Sequence, residues 1–195
     1  VLGLDPGYRN GCKCAVVDKT GRILDHGIIQ VTQSEGAKQK AARDVLGWIK
    51  KYNVDLLSIG NGTASYETEQ FAAQLIADNK LPVHYLITNE AGASVYSASK
   101  EAAAEMPDYD VTVRGAASIA RRVQDPLAEL VKIDPQAIGV GQYQHDVNQK
   151  ALRETLDATV EAAVNSVGVD ISTASAALLS HIAGLSKTVA QNIVA

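Results

Sequence analysis

Long apolar runs are missing from this sequence of 195 residues. Nothing approaches the roughly 20 consecutive apolar residues of a membrane-spanning helix, and no charged-then-apolar leader opens it. The expectation is a soluble, cytoplasmic protein with no membrane partner. Cysteine is scarce: Cys12 and Cys14 are the only two. They lie too close in an extended strand to bridge comfortably and are too few for a zinc site, so they read as reduced, buried strand residues. A general excess of positive charge is lacking as well. The net charge is −4, which excludes a uniformly basic nucleic-acid binder and leaves a local basic patch as what phosphate binding would need. Aromatic residues make up only 5%, whereas the 46% hydrophobic fraction is that of a globular chain and excludes disorder. There is no internal repeat and no low-complexity tract.

What is present is unevenly spread. Residues 1–54 carry nine Lys/Arg against five Asp/Glu, residues 55–110 two against nine, and residues 111–195 seven against eight. Val1 leads straight into the strand-like Leu2-Gly3-Leu4-Asp5, which suggests a piece cut from a longer polypeptide. Residues 1–5, 13–18 and 23–31 read as three strands joined by Asp5-Pro6-Gly7 and Lys19-Thr20-Gly21 turns. Ala41, Val45, Trp48, Ile49 and Tyr52 recur at helical spacing, Leu56–Gly60 is a short apolar run, and Phe71, Leu75 and Ile76 mark a helix capped by Ser65. Val83–Thr88 completes five strands. A three-strand meander followed by alternating helix and strand gives an α/β mixed sheet with helices on its faces. Beyond Pro126 no strand is expected. A helix carrying Leu152, Leu156, Val160, Ala163 and Val167 precedes a compact helical pair, with Pro126 and Pro135 marking linkers and helix starts.

The first chemical candidate is Gly3-Leu4-Asp5-Pro6-Gly7, an acid at the end of a buried strand where ligands collect in α/β folds. Asp5 there either holds a divalent metal or caps its own turn. This stretch, extended through Tyr8-Arg9-Asn10-Gly11, resembles the bacterial Tex family of transcription accessory proteins. So do Gly60-Asn61-Gly62-Thr63-Ala64-Ser65, Asn89-Glu90-Ala91-Gly92-Ala93-Ser94-Val95-Tyr96-Ser97 and Gly139-Val140-Gly141-Gln142-Tyr143-Gln144-His145-Asp146. The resemblance implies a YqgF-type, ribonuclease-H-like domain over 1–125, a linker and connecting helix over 126–166, and a helix-hairpin-helix over 167–195 that the end of the chain cuts short.

In the related resolvases, acids on the first strand, the fourth strand, after the fifth strand and on the last helix hold two Mg²⁺ ions that clamp a phosphate. Asp5 and Glu90 match two of these positions as candidate catalytic and metal-ligating residues. Gly60-Asn61-Gly62 and Arg114-Gly115 stand where the others belong. Two oxygen ligands are few for a hard cation, and an Arg nearby repels it. Glu67, Glu69 and Asp125 are the available substitutes. The binding reading requires no cofactor, while Mg²⁺ or Mn²⁺ belongs to the nuclease alternative. An actin-like ATPase would share the opening strand, Asp and Gly, but the chain is too short for that family's repeated domain.

A helix over 114–124 puts Arg114, Ser118, Arg121 and Arg122 on one face and Ala116, Ile119, Ala120 and Val123 on the opposite, sheet-packing face. The three guanidinium groups are candidate phosphate contacts, set against a merely solvated or salt-bridged face. Arg9, Asn61 and Thr63 are further candidates, the last two at a helix start whose amides suit a phosphate. His145 reads as a structural hydrogen-bonding residue. In the C-terminal segment Ser172 or Thr173 is the expected cap of the first helix and Gly184-Leu185-Ser186 the hairpin, with Lys187 adding charge. Gly184, Ser186 and Lys187 therefore complete the candidate contacts to RNA or DNA. Transcription or translation machinery is the further class of partner.

Overall fold

A computed structural model describes residues 1–194, which divide into two compact units, Val1–Gln124 and the residues from Asp125 onward. In the first unit, β1 (Leu2–Asp5), β2 (Cys12–Val17), β3 (Ile23–Ile29), β4 (Leu56–Gly60) and β5 (His84–Thr88) form one sheet in the order β3-β2-β1-β4-β5. The first three strands are antiparallel, and β1, β4 and β5 run parallel. This is the expected ribonuclease-H-like mixed sheet. β1 lies at its centre, and Leu2 and Leu4 have no solvent exposure, each such side chain contributing about 1.5 to 3 kcal/mol of burial.

One face of the sheet is covered by α1 (Glu35–Tyr52) and α2 (Ser65–Asn79), whose Ala41, Val45, Ile49, Ala72 and Leu75 join the strand residues in one core. Cys12 and Cys14 are buried free thiols in that core. Ser34 caps α1 by accepting from the Ala37 amide at 3.3 Å. The residue before α2 is Ala64 in a left-handed conformation, and no side chain caps the helix, so Ser65 is its first residue and not its cap.

The opposite face carries α5 (Val111–Gln124), which contacts β1, β2 and β4. It starts three residues before the expected 114, because Asp110 accepts from the amides of Thr112 (2.9 Å) and Val113 (3.0 Å). Close packing is permitted by Gly3: a Cβ there would collide with the Ala116 carbonyl and reach the Ala120 methyl at 2.9 Å. Two short helices, α3 (Ala93–Ser97) and α4 (Lys100–Glu105), follow β5, and α3 packs on α5. They close the flank that the sequence pattern left to solvent. Ser118 and Arg122 are buried together with Ala116, Ile119 and Ala120.

The second unit is all helical: α6 (Pro126–Leu130), α7 (Pro135–Ile138), α8 (Gln149–Val167), α9 (Ala176–Leu179) and α10 (Lys187–Val194). Asp125, Asp134, Asn148 and Ser175 cap the first four, each accepting a backbone amide. Proline occupies the opening turn of α6 and of α7, where its missing N–H costs nothing. The buried residue of α8 is Val164, whereas Val167 is 71% exposed and Ala163 also faces solvent. The seam steps by four residues through Leu152, Leu156 and Val160 and so continues to Val164. Ser175, not Ser172 or Thr173, caps α9; Ser172 instead bonds to the Asp170 carboxylate through its amide (2.9 Å) and its hydroxyl (2.6 Å).

Candidate functional site

The parallel strands β1, β4 and β5 end at one sheet edge, at Asp5, Gly60 and Thr88. Asp5 lies opposite Lys13 in the β1–β2 ladder. Beyond β5 the chain turns, and Glu90 comes back over the end of β4. Its backbone is held from two sides. Asn61 accepts from the Glu90 amide at 3.1 Å and donates its own amide to the Thr88 carbonyl at 3.0 Å. The Arg122 guanidinium donates to the carbonyls of Asn89 (2.7 Å) and Ala91 (2.9 Å). The Glu90 carboxylate fills the space left by two absent side chains, since a Cβ at Gly60 or at Gly62 would overlap its oxygens. The Gly62 amide donates to it.

Asp5 and Glu90 line a cleft of about 310 Å³ with Lys13, Ser94, Ser97 and Gly115. Burial pushes the Asp5 carboxyl up, partly offset by the Lys13 ammonium. Burial and the charge of Asp5 push Glu90 up, opposed by the Gly62 amide, Arg122 and Lys13.

A third acid is what a two-metal clamp would require. Among the described residues no group of three His, Cys, Asp or Glu side chains is placed to hold a metal. The substitutes are engaged elsewhere: Glu67 accepts from the Tyr8 hydroxyl at 2.8 Å, Glu69 from the Tyr85 hydroxyl at 3.3 Å, and Asp125 from the Ala128 amide at 3.0 Å. The residue facing Asp5 from α5 is Gly115, whose Cβ position would lie 3.5 Å from Asp5 Oδ2. Arg114 is not the opposing cation. Its guanidinium donates to the carbonyls of Met106 (3.1 Å) and Ser97 (3.5 Å), and the cation beside Asp5 is Lys13. Among the described residues Asp5 and Glu90 are the two acids that line this cleft.

The arginine face is likewise not an open phosphate surface. Arg122 is 5% exposed. Arg121 donates to the Gly21 carbonyl at 2.7 Å and pairs with Glu105 at 2.9 Å. All three arginines act as clamps on loops and short helices of their own unit. Asn61, a candidate for phosphate contact, instead positions Glu90, while Arg9 and Thr63 are exposed on the surface.

In the second unit, α9 and α10 form a hairpin. Gly184 takes φ +87°, a left-handed turn that suits glycine. Ser186 accepts from the Val189 amide at 3.2 Å, so it caps α10. Ser186 and Lys187 are exposed where α10 begins. The turn is tied to α8 by Asn165, which donates to the His181 carbonyl (3.1 Å) and accepts from the Ala183 amide (3.2 Å). Nothing in the local sequence pattern pointed to Asn165. In the loop before α8, Gln144 accepts from the Val140 amide at 2.9 Å and donates to the Gln136 carbonyl at 3.2 Å, leaving His145 exposed.

The family described as Tex protein YqgF-like domain matches residues 1–124, and the helix-hairpin-helix motif matches residues 164–195. The chain is 59% identical over its full length to the transcriptional accessory protein Tex of Neisseria gonorrhoeae, covering 25% of that protein. It is 55% identical to the protein tex of Bordetella pertussis, again with 100% of this chain and 25% of the relative covered. Against the human S1 RNA-binding domain-containing protein 1 the identity is 50%, over 100% of this chain and 20% of that protein. The chain thus spans about a quarter or less of the length of the relatives it matches.

Proposed function

Since the chain belongs to the Tex family of proteins with a YqgF-like domain, we propose that it is a nucleic-acid-binding core of a transcription accessory factor. In this reading the ribonuclease-H-like unit is a scaffold and not a nuclease. The observation that carries it is the α9–α10 hairpin. Gly184 turns the chain just before α10, and Ser186 and Lys187 stand exposed at its start, where a helix start and a cation both favour a phosphate. Contacts of this kind fix a protein on a nucleic-acid backbone without reading sequence.

The acidic cleft supports the scaffold half of the reading through its missing third ligand, Gly115 beside Asp5, and the clamped arginines. The human relative's name refers to RNA binding, and the gonococcal relative's to transcription; both attributes are part of the proposal for this chain, as is docking on transcription or translation machinery. No helix among the described residues is long and apolar enough to cross a membrane.

The test is retention of labelled single-stranded RNA, duplex DNA and four-way junctions, scored on the same gels for Mn²⁺-dependent cleavage. Retention without cleavage is expected, with Lys187→Ala weakening it on all sequences and lowering the salt slope by about 1. Cleavage that disappears in Asp5→Asn would overturn the scaffold reading. Retention unaffected by Lys187→Ala and by Gly184→Val would remove the hairpin from the binding surface.

A further inference from the structure

A second cavity of the first unit lies away from the acidic cleft and is absorbed by neither reading above. It is a groove of about 940 Å³ between the N-terminal half of α1 and the length of α2. Each helix turns a regular stripe towards it: Glu35, Lys38, Gln39 and Ala42 from α1, and Glu67, Gln70, Phe71 and Gln74 from α2. These spacings of three and four residues are those of one helix face. Such stripes normally meet a neighbouring helix, yet here they leave a trough between them. Val31 and Leu75, 3% and 6% exposed, form its floor together with the half-buried Ala42 and Phe71.

The rim is acidic. Glu35, Glu67 and Asp78 border the groove against a single lysine, Lys38. Tyr66, 68% exposed, stands on the same rim, a residue type enriched where partners anchor. Its neighbour Glu67 is held by the Tyr8 hydroxyl at 2.8 Å, so one carboxylate is fixed in place beside the trough.

We propose that this groove binds a cationic amphipathic helix of a partner protein. Apolar side chains at positions i, i+3 or i+4 and i+7 of that helix would seat on Val31, Ala42, Phe71 and Leu75, as in other helix-in-groove complexes. Lysines or arginines flanking the apolar stripe would meet Glu35, Glu67 and Asp78. The charge on the rim excludes nucleic acid as the occupant, because a phosphate backbone would meet three carboxylates. This surface is therefore separate from the hairpin and stands or falls independently of it.

The experiment selects 14-residue helical peptides from a displayed random library on the 195-residue protein. The enriched peptides are then titrated by fluorescence anisotropy at low and high salt. Enriched sequences should carry an apolar stripe at helical spacing flanked by Lys or Arg, and their amide shift changes should centre on Val31, Ala42, Phe71 and Leu75. Glu35→Lys with Asp78→Lys, both on exposed residues, should weaken binding by about tenfold or more at low salt and less at high salt. The control pair Glu101→Lys with Asp108→Lys makes the same charge change away from the groove and should leave the affinity within about twofold, as distant independent sites do. Absence of enrichment, enrichment of acidic or extended peptides, or equal losses in both pairs of variants would each overturn the proposal. Self-association abolished by Glu35→Lys with Asp78→Lys would also overturn it, by making a second copy the occupant.

Discussion

The Glu90 carboxylate occupies the place of the missing Gly62 side chain and accepts the Gly62 amide. The loops after β4 and β5, 28 residues apart at these two positions, are thereby fitted to each other as a lid on the sheet edge. Gly62→Ala should cost about 1 to 3 kcal/mol, the usual range for overpacking a closed site. Pairing it with Glu90→Ala should restore part of the loss. Urea unfolding of the two single variants and the double variant measures this as a coupling energy. Additive losses would mean that the carboxylate can swing away freely and that the cradle has no energetic role.

Arg122 reaches the same loop from α5. Its bonds to the Asn89 and Ala91 carbonyls hold the backbone on both sides of Glu90, and the group is 5% exposed. Removing a buried charged donor leaves carbonyls without their partner, so Arg122→Ala should destabilise the protein by about 2 to 3 kcal/mol. Oligonucleotide retention, corrected for the folded fraction, should not change. A loss of retention with unchanged stability would return Arg122 to the phosphate-binding surface.

Much of this was legible in the sequence, and the failures share a cause. Turn residues and short apolar runs are local signals, so five strands and the order of α1 and α2 followed from them. The amphipathicity of α5 was legible too, but the fate of its polar face was not. α3 and α4 span five and six residues, too short to show a helical period, yet with the residues that flank them they turn Arg114 and Arg121 from solvated charges into clamps. The pairing of Glu90 with Gly60, Gly62 and Asn61 is equally non-local. The Ser172-Thr173-Ala174-Ser175 stretch offers several equivalent caps, and the choice of Ser175 depends on Asp170 taking Ser172 first.

Asp110 gives a pH-dependent contribution whose sign is fixed. The Thr112 hydroxyl and the amides of Val113 and Thr112 hold its carboxyl below the ordinary carboxylate range. A depressed folded-state value means that the stabilisation is complete above about pH 4, the unfolded value, and fades as pH falls through the lower folded one. Asp110→Ala should cost about 1 kcal/mol at pH 7, as loss of a helix cap does. Asp110→Asn should lose less at pH 7 and show a shallower decline of stability than the parent as pH falls below about 4. Parallel acid limbs for Asp110→Asn and parent would show that the cap acts through its geometry alone.

Gly115 decides between a lost metal site and a site of another kind. It is buried in α5 with its Cβ position 3.5 Å from Asp5 Oδ2, and no other heavy atom outside its own helix lies within 4 Å of that position. An aspartate there would add the third carboxylate beside two that are already pushed towards the protonated form. Without metal, Gly115→Asp should therefore lower the melting temperature through like-charge repulsion and burial. With millimolar Mn²⁺ it should regain more than the parent does, because a ligand that binds only the folded state stabilises by mass action. The parent, with two carboxylates and Lys13 beside them, should shift little under the same addition. Thermal unfolding of parent and Gly115→Asp at several Mn²⁺ concentrations gives the comparison, with Gly115→Asn as the uncharged control of similar size. Equal Mn²⁺ stabilisation of parent and variant would mean that Asp5 and Glu90 already suffice to hold a cation. An unchanged Gly115→Asp in both conditions would mean that the new carboxylate turns away from Asp5.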